Sequence, residues 1–158
     1  MTDYNLLIDG KMVPGDLKMP VLNPATEEVV AQCSRASKAQ LDQAVAAAKA
    51  AYPAWAATPM AERRKLVTRM ADVIEANAGE LARILTSEQG KPLGDATGEV
   101  MGMAAFFRYL SSLELPMRVI EDSGDRRVEA YRRPLGVVGA IIPWNRSEEH
   151  TSELQSLV

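Results

Sequence analysis

The residues of this sequence that best fit a chemical role are Pro143-Trp144-Asn145, which directly follow an apolar run over residues 137–142. A short, continuously apolar run predicts a strand inside a parallel sheet. In open α/β sheets ligands bind beyond the carboxyl ends of the strands, so Asn145 would lie at such a site. Its side-chain amide can donate a hydrogen bond to an oxygen that gains negative charge during a reaction. A plain turn is the alternative interpretation, because proline and asparagine are common turn residues.

Other residue types that commonly carry chemistry form weaker patterns. The only histidine, His150, lies in a polar C-terminal stretch, and the sequence contains no glycine-rich phosphate-binding loop. The single cysteine, Cys33, fits a small strand residue better than a nucleophile, because unpaired cysteines are commonly buried. Glu75, Glu88 and Glu99 fall on the polar faces of predicted helices, so we expect solvated structural roles for them.

The C-terminal stretch has an unusual origin. The eleven residues Arg146 to Ser156 are the in-frame translation of a standard sequencing-adapter DNA, and they show no hydrophobic periodicity. Such segments are excluded from fold reasoning. We therefore interpret residues 146–158 as an artefactual, disordered tail; a natural polar tail is the alternative.

Composition excludes several classes of function. The chain of 158 residues is 47% hydrophobic and 25% charged, as expected for a globular protein with one core. A net charge of −3 argues against nucleic acid or an anionic membrane as partner, and no run is long enough to span a bilayer. One cysteine allows neither an internal disulfide nor a cysteine-based metal site, which fits the cytoplasm. No secretory signal is evident at the N-terminus.

The elements that would position Asn145 can be predicted from periodicity and turn residues. Two small β pieces come first, one turning at Asp9-Gly10 and the other at Asn23 to Thr26. Four helices are predicted next: one from a capping box at Ser37 to about Ala51, one from Thr58-Pro59, one after a break near Asn77 that ends at Gly90, and one from Leu93 to about Leu110. Pro53 is expected to bend or end the first helix. A hairpin around Asp122 to Asp125 then precedes the apolar run.

These elements predict a truncated α/β architecture. The apolar run over residues 137–142 would be the first strand of a Rossmann-like sheet, which needs neighbouring strands and covering helices. We therefore predict two regions, residues 1–145 as the start of an α/β domain and residues 146–158 as the tail.

With these residues identified, the chain resembles the N-terminal part of the NAD(P)-dependent aldehyde dehydrogenase superfamily over Tyr4 to Asn145. Each segment alone is weak evidence, but their common order and spacing are highly specific. The segments are Leu7-Ile8-Asp9-Gly10, Asn23-Pro24-Ala25-Thr26, Ala54-Trp55 before Ala61-Glu62-Arg63, Glu88-Gln89-Gly90-Lys91-Pro92, Arg133-Pro134-Leu135-Gly136-Val137-Val138 and Ile141-Ile142-Pro143-Trp144-Asn145.

The resemblance implies a reaction. Such enzymes oxidise an aldehyde to a carboxylic acid: a cysteine thiolate attacks the carbonyl to give a thiohemiacetal, hydride passes to NAD or NADP, and a water activated by glutamate hydrolyses the thioester. It implies that Asn145 donates to the substrate oxyanion and that Ile141, Ile142, Pro143 and Trp144 line the cofactor site. Residues 1–145 would belong to the cofactor-binding domain. Residues 117–134 would form a hairpin used in homo-oligomer formation.

The resemblance also implies that this chain is inactive. Arg146 replaces the family's phenylalanine, and the nucleophilic cysteine and general-base glutamate lie further downstream in relatives. Two other hypotheses remain open. One is a stand-alone, non-enzymatic helical module that binds a partner through exposed apolar surface. The other is an enzyme that uses Cys33 as its nucleophile.

Overall fold

A computed structural model of the protein describes residues 2–142. Residues 143–145 and the predicted tail lie outside the described residues. Seven strands are formed in the described range: β1 (Thr2–Tyr4), β2 (Leu6–Ile8), β3 (Lys11–Val13), β4 (Leu17–Leu22), β5 (Val29–Arg35), β6 (Arg118–Asp122) and β7 (Arg127–Ala130). Four helices lie between β5 and β6: α1 (Lys38–Ala57), α2 (Met60–Ala76), α3 (Ala78–Gln89) and α4 (Leu93–Ser112). The predicted combination of small β pieces, four helices and a hairpin is confirmed.

The first turn has the geometry that its sequence predicts. Strands β2 and β3 pair antiparallel, with Ile8 opposite Lys11, so Asp9 and Gly10 form a two-residue loop. Both loop residues have positive φ, 52° and 71°. That geometry matches the right-handed twist of the strands it joins, and Asp-Gly is among its preferred sequences.

A mixed three-stranded sheet forms the other N-terminal piece. Strand β5 lies in the centre, pairing parallel with β1 and antiparallel with β4. The connection from β4 to β5 is closed by a backbone hydrogen bond from Asn23 to Glu28 at 2.9 Å. The side chain of Asn23 also accepts from the amide of Ala25 at 2.9 Å, as expected for an asparagine that begins a turn.

Helix α1 begins as predicted but ends later. Ser37 and Gln40 form a reciprocal capping box at its N-terminus. The helix was predicted to run to about Ala51, with Pro53 bending or ending it. The predicted end is wrong, because α1 continues to Ala57. A proline removes only one backbone donor from a helix, and α1 extends for just one turn after Pro53. Thr58, predicted to cap α2, instead donates its hydroxyl back to the carbonyl of Ala54 at 2.9 Å.

Helix α4 is the centre of the helical layer and packs against both α2 and α3. The residues buried in these three helices are small: Ala71, Ala82, Ala96, Val100 and Ala104. Small side chains allow helix axes to approach closely, because they leave shallow grooves for the facing ridges. Among the described residues no large side chain is fully buried. The helices are therefore joined by close contact between small residues, without an interior of large apolar groups.

Two arginines connect α2 to α4 through side-chain hydrogen bonds. Arg64 of α2 donates its Nε to the carbonyl oxygen of Ser111 at 2.6 Å, which satisfies a free carbonyl at the C-terminus of α4. Arg108 of α4 reaches in the opposite direction and binds Glu75 through two hydrogen bonds of 2.9 and 2.5 Å. It also donates to Asp72 at 2.8 Å. These contacts connect the C-terminal end of α4 to both the early and the late part of α2.

The predicted strand over residues 137–142 is not formed. In the part of the chain that the structure describes, this run belongs to no strand and pairs with none. A strand depends on hydrogen bonds to a neighbour, and no strand within residues 2–142 pairs with this run. The prediction was wrong because apolar composition indicates where a strand can form but does not supply its partner.

Gly90 provides a test of how α3 ends. Its φ of 75° lies in the left-handed region, and a Cβ built there would stand 2.8 Å from Cγ of Pro24 in the β4–β5 turn. We expect Gly90→Ala to lower the free energy of unfolding by about 1–2 kcal/mol from the backbone alone. Chemical denaturation followed by helical circular dichroism measures this.

The matched control is Gly98→Ala, at an interior position of α4 where a Cβ would meet no atom within 4 Å. Alanine is favoured over glycine in a helix interior by up to about 1 kcal/mol, so this variant should be neutral or more stable. Equal stability of the two variants would contradict the role assigned to Gly90.

The bridge between α2 and α4 predicts a response to acid. The hydrogen bonds from Arg108 lower the pKa of Glu75 below its usual value near 4.5. A carboxylate with a lowered pKa stabilises the fold above that usual value and loses its contribution as the pH falls through the folded-state pKa. The free energy of unfolding of Glu75→Gln should therefore fall less than that of the wild type as the pH is lowered from about 5 to about 3. This is roughly the range in which ordinary carboxyl groups take up a proton. Glu62→Gln is the control, because among the described residues the carboxylate of Glu62 pairs with Lys65 of its own helix, at 2.7 Å. Parallel pH profiles for wild type and Glu75→Gln would reject the bridge.

Candidate functional site

The predicted site lies at the C-terminal end of the described chain. Of its five residues, Pro143, Trp144 and Asn145 lie outside the described residues. Ile141 and Ile142 are described, and their side chains are 95% and 50% exposed. The structure therefore places the two isoleucines on an open surface.

One contact holds the segment that leads to this site. The hydroxyl of Tyr52, on α1, donates a hydrogen bond of 2.9 Å to the carbonyl oxygen of Pro134. Two residues later Gly136 has a φ of 108°, a backbone conformation that favours glycine. A Cβ added to Gly136 would lie 4.0 Å from Cε2 of Tyr52, so the turn lies directly beside the tyrosine ring. The chain thus bends against α1 immediately before the apolar run begins.

Apolar side chains are left uncovered both in the apolar run and on the helices. Val137 and Val138 are exposed, as are aliphatic residues of α1 and α2. A shallow depression between the end of α1 and α2 has a volume of about 610 Å³. It is lined by Trp55, Leu66, Arg69, Met70, Val73 and Ile74. Soluble monomers rarely expose contiguous apolar patches of this kind, and larger patches mark surfaces that another chain or segment covers.

A second concavity lies between the mixed sheet and α3. Its volume is about 500 Å³, within the range of small-molecule pockets. It is lined by Tyr4, Val21, Val30, Ala31, Cys33, Glu80, Arg83, Ile84, Ser87 and Glu88. Cys33 is a free, half-buried thiol in β5, which agrees with the strand role predicted for it. The sequence did not indicate this concavity, because its wall residues come from separate elements.

The acidic residues singled out from the sequence have different surroundings. Glu75 pairs with Arg108, and Glu99 forms an ion pair with Lys91. The side chain of Glu99 is only 13% exposed, so the expectation that it is solvated was wrong. A carboxylate that leaves water needs an opposite charge, and Lys91, just after α3, supplies it. Within residues 2–142 no group of three potential ligands could hold a metal ion.

The hairpin of β6 and β7 carries its own small network. Glu129 accepts hydrogen bonds from the hydroxyl of Tyr131 and from Nε of Arg127. Both bonds favour the charged carboxylate and lower the pKa of Glu129. The same carboxylate raises the pKa of the Tyr131 phenol. These groups form exposed contacts with one another at the hairpin.

The described range contains four helices. None of them combines the length and the apolar character that crossing a bilayer requires.

Comparison with known proteins gives a consistent result. A sequence profile of the aldehyde dehydrogenase family matches residues 12–148. A probable aldehyde dehydrogenase from a Pseudomonas species is 45% identical over 142 residues, covering 90% of this chain and 29% of that protein. The crystal structure of a putative aldehyde dehydrogenase from Burkholderia cenocepacia is 39% identical, with a TM-score of 0.87, covering 94% of this chain and 32% of that one.

A third relative was solved with a cofactor. A betaine aldehyde dehydrogenase from Staphylococcus aureus, in complex with NAD+, is 27% identical with a TM-score of 0.86, covering 94% of this chain and 31% of that one. The chain spans less than a third of the length of these relatives. The profile match ends at residue 148, just past the predicted junction after Asn145.

Proposed function

The chain belongs to the aldehyde dehydrogenase family, and on that premise we propose that it is the N-terminal part of an enzyme that oxidises an aldehyde to a carboxylic acid with NAD or NADP. The observation that carries the proposal is the continuous family match over residues 12–148, which includes the candidate site. The nucleophilic cysteine and the general-base glutamate belong to the longer protein. Cys33 is not proposed as the nucleophile, because it has the strand role predicted for it in β5 and the family's nucleophile would lie downstream of Asn145.

Asn145 is the residue of this chain that would act on the reacting atoms. When a thiolate adds to an aldehyde, the carbonyl oxygen gains negative charge. An amide N–H already aimed at that oxygen stabilises the transition state more than the ground state. Asn145 would hold the oxygen in this way while the longer protein supplies the thiolate.

The cofactor would lie against the segment that precedes Asn145. When bound, NAD or NADP would supply the acceptor for the hydride of the former aldehyde carbon. Of the proposed contacts, Ile141 and Ile142 present aliphatic side chains on an uncovered surface. Such a surface suits one face of a planar nicotinamide ring, whereas the charged phosphates need donors that these residues lack. The described residues therefore fit the ring end of the cofactor. Pro143 and Trp144 complete the proposed contact.

The hairpin of β6 and β7 would take part in forming a homo-oligomer. Its two strands pair only with each other among the described residues, so both outer edges are open. An open edge can add a strand from another subunit through backbone hydrogen bonds. The aldehyde is the only small-molecule partner we propose. A cytoplasmic location fits the single free cysteine.

Residues 146–158 are proposed to be adapter-derived, and the reading frame of the gene is proposed to continue past the Asn145 codon. The evidence is the eleven-residue adapter match together with the length of the relatives. Sequencing the genomic locus tests this directly. A stop codon after Val158, with flanking reads free of adapter, would contradict it and would favour the stand-alone interaction module.

The purified 158-residue chain should show no dehydrogenase activity. Without the downstream nucleophile, a thiohemiacetal cannot form at the site. The measurement is the rate at which reduced nicotinamide cofactor appears with an aldehyde and NAD or NADP, compared with a no-enzyme control. Turnover above that control, abolished by Cys33→Ala, would overturn this prediction and revive Cys33 as a nucleophile.

In the full-length enzyme that we propose the gene encodes, Asn145→Ala should lower kcat by about 100- to 1000-fold. The loss of one preorganised donor affects the transition state more than substrate binding, so KM for the aldehyde should change little. Steady-state kinetics with Asn23→Ala, in a turn remote along the chain, serves as the control. A kcat within about threefold of wild type would exclude the oxyanion role, since the loss of one donor has the far larger effect given above.

A further inference from the structure

Helix α2 carries packing groups on two opposite sides. On one side Ala71 is completely buried and Arg64 binds the end of α4. On the other side Leu66, Met70 and Val73 recur at spacings of four and three, and they are 42%, 50% and 62% exposed. A helix turns by about 100° per residue, so the residue two positions after Arg64 points roughly away from α4. A helix with apolar side chains on opposite sides is typical of a protein interior, and one of these sides is open here.

The open side of α2 forms a groove with the end of α1. We call it the α2 groove, and it is lined by Trp55, Leu66, Arg69, Met70, Val73 and Ile74. The ring of Trp55, 44% exposed, stands at the α1 side of the groove. An apolar stripe along a helix suits an apolar segment that lies along it.

The groove carries positive charge at its edge. Arg69 lines it, and the guanidinium of Arg63 lies 6.0 Å from the centre of the Trp55 ring. Within residues 2–142 no carboxylate forms an ion pair with either arginine, and Nε of Arg63 is buried without a hydrogen-bond partner. The three carboxylates of α2 bind other bases: Glu62 binds Lys65, and Asp72 and Glu75 bind Arg108. A covering segment with carboxylates beside its apolar side chains would match this charge.

A second copy of the same groove is a poor occupant. In a symmetric dimer the same patch of both subunits meets itself. Arg63 and Arg69 of one copy would then face the same arginines of the other, and opposed like charges disfavour such a contact. The family relatives offer another source, since this chain spans less than a third of their length.

We propose that the α2 groove is an intramolecular docking site for a segment of the longer protein that presents apolar side chains flanked by carboxylates. This inference rests on the proposed function, because the occupant belongs to the longer protein. Its apolar side chains cover Leu66, Met70 and Val73, and its carboxylates bind Arg69 at the edge.

The first test measures whether the groove is covered. Val73→Cys is prepared in the 158-residue chain and in the full-length enzyme, and the rate of maleimide labelling at that position is followed by mass spectrometry. We expect labelling to be at least about tenfold slower in the full-length enzyme, because the thiol reacts only when the covering segment opens. The control is Lys38→Cys, at a position where the native side chain is 87% exposed, and it should react equally fast in both proteins.

Two results would overturn the docking site. One is an equal labelling rate of Val73→Cys in the two proteins. The other is slow labelling that is already present in the 158-residue chain and is relieved by dilution, which would assign the groove to a second copy.

The second test concerns the charge of the occupant. In the full-length Val73→Cys enzyme, adding Arg69→Glu should speed labelling by about three- to tenfold, because a like charge then faces the carboxylates. Adding Arg69→Lys keeps the charge and should leave the rate unchanged. Equal rates for the two variants would exclude an acidic occupant.

Aldehyde oxidation by the full-length wild type is measured in parallel. If that enzyme is active while Val73→Cys labels equally in both proteins, the docking site is rejected and the proposed function stands. If the gene ends after Val158, the proposed function fails and the docking site fails with it.

Discussion

The close packing of small residues around α4 is the constraint on which the rest of the structure depends. Ala71, Ala82, Ala96 and Ala104 are completely buried where α2 and α3 meet α4. A larger side chain at any of these positions would force the helices apart, because interiors are already close-packed. The contact defines the relative placement of three helices. It buries little apolar area, so it stabilises less than an interior of large side chains would.

The consequence is a surface that the chain does not cover itself. Large apolar residues of α1 and α2 and of the segment 137–142 remain exposed, while α1 has no buried residue. Family membership offers a physical explanation, since the chain spans less than a third of its relatives' length. In the longer protein that we propose, other segments would cover these faces, including the open side of the apolar run.

The candidate site illustrates the same dependence on long-range contacts. Its described part is held by the hydrogen bond between Tyr52 and Pro134 and by the backbone of Gly136. The polar contacts that orient the helices are also long-range: Arg64 binds the end of α4, and Arg108 bridges to α2. Directional bonds of this kind define an orientation that non-directional apolar contacts leave loose.

The sequence by itself determined the features whose causes lie within a few residues. The turn at Asp9-Gly10, the capping box at Ser37 and the left-handed end of α3 at Gly90 follow from local backbone sterics and short-range hydrogen bonds. The series of short segments also identified the family. Each segment alone is ambiguous, but their common order and spacing along the chain are specific to the family. Predictions for residues 143–158 remain predictions.

Only the tertiary structure decided which distant groups meet. It showed that α1 runs through Pro53, that residues 137–142 have no partner strand within residues 2–142, and that Glu99 is paired with Lys91. It also joined Tyr52 to Pro134. Periodicity and propensity describe which face of a segment is apolar or which residue can donate. The identity of the partner depends on how the helices and strands pack, and this is set by contacts that no local pattern contains.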